Sequence, residues 1–286
     1  MKSRLNPVVA RFLAISSAFL LGGAGASAHA CESNLSPSLA READALIADG
    51  HSPKAYGLML RAGESGSGGA YRYLANMYEA GRGVKENQDM ARYMNWMGSQ
   101  YQDADSMYEV AKDFYAKGFR KDGDYYADLA KECGHPGALI LLLQRSIDER
   151  REDDARAYLE QAIDADIPEA KFILAEQYDK GGLGLPKDYQ RAFYWYNESA
   201  KYGNPKAMAA IAYYFFKGLH GVQDDVAAIY WYHKAAKSGD VPSMTAYGWM
   251  LANGHGTAVD KDAAKYIWRE AKKRGDAQAA VFLAQI

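Results

Sequence analysis

The sequence predicts an all-α protein, built as a superhelix of stacked helix–turn–helix repeats. One observation is a fixed period, because small residues recur about every 36 positions: Ala192, Ala228 and Ala264, and likewise Gly203, Gly239 and Gly275. A second is another set of glycines between these positions: Gly181, Gly218 and Gly254. The third is apolar spacing typical of helices within each period. A period of this length is the signature of architectures in which neighbouring units stack.

The first helix of each unit is indicated by an apolar face at helical spacing, as at Leu174, Ala175 and Tyr178. The glycine that follows is expected to end this helix, because glycine accepts the left-handed conformation at a helix end. Prolines stand where the first helices begin, a place where a missing amide hydrogen costs little: Pro136, Pro168, Pro205 and Pro242.

The second helix of each unit is indicated by a short polar residue four positions before its key alanine. We expect these residues to be N-caps that accept the free amide hydrogens of the first turn: Asn87, Asp188, Asp224 and Asp260. The second helix is expected to end at Gly203, Gly239 or Gly275.

Three adjacent aromatic residues, Tyr194, Trp195 and Tyr196, could form a binding site or part of the scaffold. Large side chains recur in register in the later copies, at Trp231/Tyr232 and Ile267/Trp268. Large side chains against small ones are how neighbouring helices interlock at close distance. Because a residue required once per repeat serves packing, we predict that these aromatics are scaffold.

The repeats are predicted to occupy residues 70–286. The well-formed copies are expected at about 70–101, 169–203, 205–239 and 241–275, with degenerate copies at 103–166 and a C-terminal capping helix at 276–286. Residues 31–69 are expected to form a divergent helical cap followed by a flexible, glycine-rich linker around Ser65 to Gly69. Terminal units of a stack need such caps.

Residues 1–30 have the three-part pattern of a secretory signal peptide. Three basic residues begin it, an apolar stretch runs from Phe12 to about Ala26, and it closes on Ala28-His29-Ala30. The apolar stretch is too short to span a membrane. We therefore expect cleavage near Ala30 and export to a periplasm or the extracellular space. Without those three basic residues the formal net charge of −2 becomes −5, which argues against binding nucleic acid or an anionic membrane surface.

Both cysteines, Cys31 and Cys133, lie in the part expected to be exported. An oxidising compartment favours a disulfide between them, although the sequence does not fix the geometry that a bridge requires. Cys31 would also be the first mature residue, so a lipid anchor is an alternative. The residues before it fit a lipoprotein processing site poorly, and two free thiols are the third alternative.

The motifs LANMYEAGRGV, AFYWYNESAKYG and AIYWYHKAAKSG resemble those of Sel1-like repeats, which are related to tetratricopeptide repeats. The resemblance covers about residues 70 to 286 and is weak between Asp103 and Asp166. It implies an α-helical superhelix that binds other proteins, often in bacterial envelopes or signalling assemblies. Cysteine-rich members of the family have been linked to β-lactam binding. This chain lacks their cysteine pair in each repeat, so that activity is not carried over.

Residues with catalytic spacing are not recognisable in the sequence: there is no nucleophile elbow, phosphate-binding loop or H-E-x-x-H motif. His220 and His255 lie in equivalent loops of adjacent repeats. Two histidines without a carboxylate or thiolate at ligand spacing are a weak metal hypothesis, and solvent-exposed loop histidines are the better interpretation. We therefore predict a protein that is not an enzyme, with no cofactor and no metal site.

Partner binding is expected on the concave face that the first helices of such repeats line. Some positions on this face are not needed for packing between helices. Their side chains would line a partly polar groove, with aromatic residues close together at its C-terminal end. The alternative is that the capping helix or a second helix covers these aromatics. The candidates are Arg72, Asn76, Phe172, Glu176, Tyr213, Phe216 and Trp249.

These features favour a non-enzymatic scaffold or regulator in the bacterial cell envelope, which binds a partner protein or peptide in its groove. The alternative is a periplasmic immunity protein that neutralises a secreted toxic effector. An enzyme is the third and weakest hypothesis.

Overall fold

The computed structural model describes residue 31 and residues 35–285. The expected signal peptide at residues 1–30 lies outside the described residues. Within the described part the regular structure is helical and contains no strand, which confirms the predicted all-α fold. The helices in this part are α1 Pro37–Ala48, α2 Ser52–Glu64, α3 Gly68–Ala80, α4 Gln88–Gln100, α5 Ala104–Ala116, α6 Arg120–Glu132, α7 Pro136–Asp148, α8 Glu152–Asp164, α9 Pro168–Lys180, α10 Tyr189–Lys201, α11 Pro205–Lys217, α12 Asp225–Lys237, α13 Val241–Asn253, α14 Lys261–Lys273 and α15 Ala277–Leu283.

The chain divides into two compact units, one ending at Leu142 and the other beginning at Leu143. In the first unit, helices α1 to α6 pack each against the next in chain order. In the second unit, helices α8 to α15 do the same. Each unit is therefore a series of consecutive helix pairs, as the repeat pattern predicts.

The helix ends follow the predicted capping residues. The side chains of Asp188, Asp224 and Asp260 accept hydrogen bonds from amides in the first turns of α10, α12 and α14, at 3.0, 2.9 and 2.8 Å. Asn87 caps α4 in the same way. The first helices α9, α11 and α13 end at glycines in the left-handed conformation: Gly181, Gly218 and Gly254. These local signals predict the bounds of the helices because each acts within one turn of the chain.

The large-and-small packing occurs as predicted, with one correction. Ala192, Ala228 and Ala264 are fully buried. Tyr196 and Trp268 are buried beside them, and Trp195 and Trp231 are half-buried. The expectation that all three aromatics of the first motif are packed is wrong for Tyr194, which is 57% exposed. This tyrosine lies two positions after the buried alanine, about 200° around the helix, and so faces away from the packed side.

The predicted flexible linker at Ser65–Gly69 is also corrected by the structure. Ser67 is the N-cap of α3, and Gly68 and Gly69 are buried inside that helix. A Cβ atom at residue 68 would lie 2.8 Å from the Cβ of Asp103 and 2.9 Å from the carbonyl oxygen of Tyr101. The glycine therefore permits close contact between α3 and the turn before α5, and the segment is a tight interhelical connection.

The two cysteines, both in the first unit, form a disulfide. The sulfurs of Cys31 and Cys133 are bonded at 2.08 Å, across a sequence separation of 102 residues. Cys133 is the C-cap residue of α6. The bridge thus attaches the start of the described chain to the end of that helix.

Candidate functional site

The second unit contains an open cleft. It has a volume of about 430 Å³ and lies between the first helices α11, α13 and α15. We call it the aromatic cleft, and its lining residues are Phe216, Pro242, Thr245, Ala246, Trp249, Asp276, Gln278 and Phe282. Its volume is within the range of about 300–1,000 Å³ that is common for ligand sites.

Two aromatic rings form one wall of the aromatic cleft. The rings of Phe216 and Trp249 meet edge to face, with centroids 5.7 Å apart. Trp249 also stacks on His255 at 4.8 Å. His255 in turn has its Nδ1 atom 2.8 Å from Oδ2 of Asp225. The wall is therefore held in place by a chain of contacts that ends in a polar pair at the start of α12.

The opposite wall is anchored in the hydrophobic core. The ring of Phe282 on α15 packs against Trp268, with centroids 5.2 Å apart. Trp268 is buried, and its Nε1 donates a hydrogen bond of 3.0 Å to the carbonyl oxygen of Thr245. Both walls are thus ordered before any ligand arrives, which lowers the entropic cost of binding.

Two polar side chains of the aromatic cleft have unused hydrogen-bonding capacity. Thr245 is 5% exposed, and its Oγ1 has no hydrogen-bond partner in the described structure. Asp276 caps α15 through Oδ1, which accepts from the amide of Ala279 at 2.9 Å. It is the one charged residue in the cleft lining.

Of the seven predicted partner-binding residues, the structure brings two together in this cleft, Phe216 and Trp249. Tyr213 is 47% exposed on α11 but does not line the cleft. Phe172 packs against Tyr196, with ring centroids 5.7 Å apart, and adjoins a core cluster. Glu176 forms an ion pair of 2.9 Å with Lys180. Phe172 is thus partly buried in packing and does not line the aromatic cleft.

The remaining two predicted residues lie in the first unit. Arg72 donates a hydrogen bond of 3.0 Å to Oδ1 of Asn95, and Glu79 and Glu109 approach its guanidinium to 3.9 Å. Its charge is thus already paired within the protein. Asn76 is exposed on α3. The three partners of Arg72 also line a smaller concavity of about 300 Å³ in that unit.

The two loop histidines are not simply exposed to solvent, contrary to the expectation. His220 stacks on Phe193 at 4.3 Å, and His255 stacks on Trp249. Both side chains are partly buried. Across residues 31 and 35–285, no group of three or more His, Cys, Asp or Glu could hold a metal ion. The histidines therefore serve as aromatic packing partners beside the turns.

The cleft residues that the sequence pattern missed come mainly from α15 and from the start of α13. Asp276, Gln278 and Phe282 belong to the terminal helix, which was expected only to cover the last repeat. Thr245, near the start of α13, gives no sequence signal of an unpaired hydroxyl. None of the described helices is both long enough and apolar enough to cross a membrane.

The comparisons with known proteins agree with this architecture. A model of the Sel1 repeat matches residues 69–94, 168–204, 205–240 and 241–276. No curated protein matches the chain in sequence. A Sel1 repeat protein from Oxalobacter formigenes is similar in structure, with TM-score 0.71 and 19% identity, covering 84% of this chain and 99% of that chain.

Two further solved structures are similar at lower scores. A protective antigen of uropathogenic Escherichia coli with an SLR fold has TM-score 0.66 and 23% identity, covering 81% of this chain and 51% of that chain. The chain thus spans about half the length of that antigen. An immunity protein from Pseudomonas aeruginosa has TM-score 0.49 and 19% identity, covering 71% of this chain and 83% of that chain. From the four matched repeats and the helix-pair fold, we conclude that this chain belongs to the Sel1 repeat proteins.

Proposed function

We propose that this chain is a non-enzymatic scaffold or regulator of the bacterial cell envelope, which binds a partner protein or peptide in the aromatic cleft. The observation that carries the proposal is the cluster of Phe216, Trp249 and Phe282 around an open concavity. Aromatic side chains that line a preformed pocket are typical hot spots of protein interfaces. The Sel1 repeats supply the scaffold that holds them.

The chemistry of the lining supports binding more than catalysis. Among the eight residues of the aromatic cleft, Asp276 is the one with an ionisable side chain. General acid–base catalysis needs a second positioned group, and nucleophilic catalysis needs a nucleophile next to a base. The cleft offers hydrophobic contact and a few hydrogen bonds, which suit recognition of a peptide segment.

Site-specific photo-cross-linking tests this proposal. A photoreactive phenylalanine analogue replaces Gln278 at the rim of the aromatic cleft, and in a matched control it replaces Tyr230, which is 57% exposed on the second helix α12. After irradiation of living cells, we expect a defined protein adduct from position 278 and none from position 230. Equal adducts from the two positions, or none from position 278, would argue against the cleft as the binding surface.

The identity of the adduct also separates the two functional hypotheses. An envelope protein made by the same cell supports a scaffold or regulator. A secreted toxic effector supports the alternative of a periplasmic immunity protein, which would use the same cleft.

The proposed location is the periplasm or the extracellular space, after cleavage near Ala30. It is supported by the basic and apolar pattern of residues 1–30 and by the disulfide at Cys31, since disulfides persist in oxidising compartments. Fractionation followed by N-terminal sequencing tests it. A mature protein that begins at Cys31 in the envelope or culture fluid is expected, and an uncleaved cytoplasmic chain would contradict the proposal.

A further inference from the structure

We propose that the solvent-facing side of the second helices α10, α12 and α14 binds an acidic polysaccharide, a linear chain of sugars that carry carboxylate groups. We call this surface the tyrosine row, and it consists of Tyr194, Tyr230, Tyr266, Lys234 and Lys237. None of these residues lines the aromatic cleft. The inference therefore goes beyond the proposed function and does not depend on it.

The three tyrosines occupy equivalent positions in successive repeats. Each stands two positions after the buried alanine of its helix, and the spacing between them is 36 residues. Tyr194 and Tyr230 are each 57% exposed and Tyr266 is 65% exposed, so helix packing leaves most of each side chain in water. Packing explains why the buried alanine recurs. It does not explain why a large ring recurs on the solvent side of three helices, whereas a binding surface does.

Two of the tyrosine rings are held by the same contact. The ring of Tyr194 meets Trp195 edge to face at a centroid distance of 5.2 Å, and Tyr230 meets Trp231 in the same way at 5.6 Å. A tyrosine offers a flat apolar ring, on which the C–H face of a sugar can pack, and a hydroxyl that can bond to a sugar oxygen. Rings placed one repeat apart suit a ligand that is itself a repeating chain, because several weak contacts then act together.

The part of the chain that carries the tyrosine row is basic, although the mature chain is acidic. Residues 189–286 contain 12 lysines and arginines against 8 aspartates and glutamates, a formal net charge of +4. Half of these acids are N-caps, whose side-chain oxygens accept backbone amides: Asp224, Asp240, Asp260 and Asp276. A ligand with negative charge is therefore favoured on this part of the molecule.

The unneutralised positive charge of the tyrosine row is centred on α12. Lys234 and Lys237 lie one and two turns after Tyr230 on the same helix face, and neither forms an ion pair within residues 35–285. At α14 the exposed Asp262 lies one turn before Tyr266 and offsets charge there. In the two neighbouring helices, the position equivalent to Lys234 is a glutamate that pairs with its own lysine: Glu198 with Lys201 and Glu270 with Lys273.

A carboxylated sugar chain matches both chemistries of the tyrosine row. Its rings can pack on the tyrosines while its carboxylates pair with Lys234 and Lys237. Two unpaired lysines suit a polymer with one charge per sugar better than a densely charged one, in agreement with the net charge of −5 of the mature chain. An acidic polypeptide is the competing ligand, because it can pair with the lysines without using the rings.

Surface plasmon resonance of the full chain over three immobilised polymers tests the proposal. The probe is polygalacturonate, a linear chain of carboxylated sugars. Dextran supplies sugar rings without charge, and poly-L-glutamate supplies carboxylates without sugar rings. We expect saturable binding to polygalacturonate, with much weaker binding to the other two polymers.

Two variants remove the two chemistries separately. Tyr230→Ala should weaken binding to polygalacturonate about threefold to tenfold, and Tyr230→Phe, which keeps the ring, should recover most of that loss. The double variant Lys234→Gln and Lys237→Gln should weaken binding about twofold to tenfold, and this loss should diminish at high salt. Because all three positions are exposed, the melting temperature should change little.

The matched controls make the same changes on the first helix α11. Tyr213→Ala removes a tyrosine that is 47% exposed, and Lys206→Gln removes the charge of an exposed lysine, both outside the tyrosine row. Both control variants should bind polygalacturonate as the parent does.

Three results would overturn this inference. One is no binding to polygalacturonate, and another is binding to poly-L-glutamate at least as tight, which would assign the surface to acidic polypeptides. The third is an equal loss of affinity in Tyr230→Ala and Tyr213→Ala. The proposed function is tested by the protein adduct from position 278, so either proposal can fail while the other stands.

Discussion

The Nδ1 atom of His255 lies 2.8 Å from Oδ2 of Asp225, joining the turn after α13 to the start of α12. The same imidazole ring stacks on Trp249 in the wall of the aromatic cleft. The hydrogen bond from His255 is the main reason that the pKa of the Asp225 carboxyl lies below its ordinary value of 3.8. The position of the tryptophan is therefore coupled to an acid–base pair in the neighbouring repeat.

Replacing His255 with phenylalanine should raise the pKa of Asp225 toward its ordinary value, because the ring stack is kept and the hydrogen bond is lost. Since the folded-state pKa of the parent is depressed, the pair stabilises the fold above about pH 4, and this contribution is lost as pH falls through the folded-state pKa. The parent should therefore lose more stability than His255→Phe on acidification. Carbon-detected NMR titration of the carboxyl and acid denaturation measure the two effects. An unchanged Asp225 pKa in the variant would contradict this explanation.

Two glycine-to-alanine substitutions in helices should have opposite effects on stability, because one glycine is in close contact with another side chain and the other is not. A Cβ atom at residue 248 would lie 2.6 Å from Nε1 of Trp268, whose hydrogen bond to Thr245 it would disturb. Gly248→Ala should therefore lower the free energy of unfolding by about 1–3 kcal/mol.

The matched control is Gly57→Ala in α2, where the nearest atom to the added Cβ is Nη1 of Arg61, at 3.7 Å. This variant should raise the free energy of unfolding by about 0.4–1 kcal/mol, because alanine loses less backbone entropy in a helix. Chemical denaturation measures both variants. Equal effects of the two substitutions would show that contact with Trp268 is not decisive.

The repeat architecture is predictable because its signals are local. Asp188 caps α10 through an amide three residues away, and Gly181 ends α9 within a single turn. The segment around Gly68 is not predictable in this way. Its glycine approaches Asp103, which is 35 positions away in the sequence. A glycine-rich segment can provide either flexibility or close contact between helices, and its composition alone does not distinguish the two.

The candidate site is predictable only in part for a similar reason. Helical periodicity places Phe216 and Trp249 on the correct face, and the structure brings them into contact. Periodicity also selects Phe172, whose exposure depends on Tyr196 of the next helix. The other wall depends on Phe282, in a terminal helix that carries no complete repeat motif, so its position follows from tertiary packing on Trp268.

Reduction of the disulfide should destabilise the first unit selectively. The bridge between Cys31 and Cys133 closes a loop of about 100 residues, for which a chain-entropy model gives roughly 4–5 kcal/mol, with measured values typically about 2–4 kcal/mol. Cys133→Ser, or reduction of the parent, should lower the free energy of unfolding of the first unit, which ends at Leu142. The unit that begins at Leu143 contains no cysteine and should unfold as before.

Hydrogen exchange resolved by peptide measures the two units separately. A thiol assay on the denatured, unreduced protein should find no free cysteine. Two reactive thiols per chain, or equal destabilisation of the two units after reduction, would contradict the prediction.

Replacing Tyr213 or Trp249 with alanine should separate an exposed aromatic from one that forms the cleft. Tyr213 is nearly half exposed, so Tyr213→Ala should change the free energy of unfolding by less than about 1 kcal/mol. Trp249 is half-buried against Phe216 and His255, so Trp249→Ala should cost about 1–3 kcal/mol, below the value for a fully buried tryptophan. Its loss should also abolish partner cross-linking from position 278, whereas Tyr213→Ala should leave cross-linking intact. If Tyr213→Ala abolished cross-linking at unchanged stability, the binding surface would extend along α11 beyond the aromatic cleft.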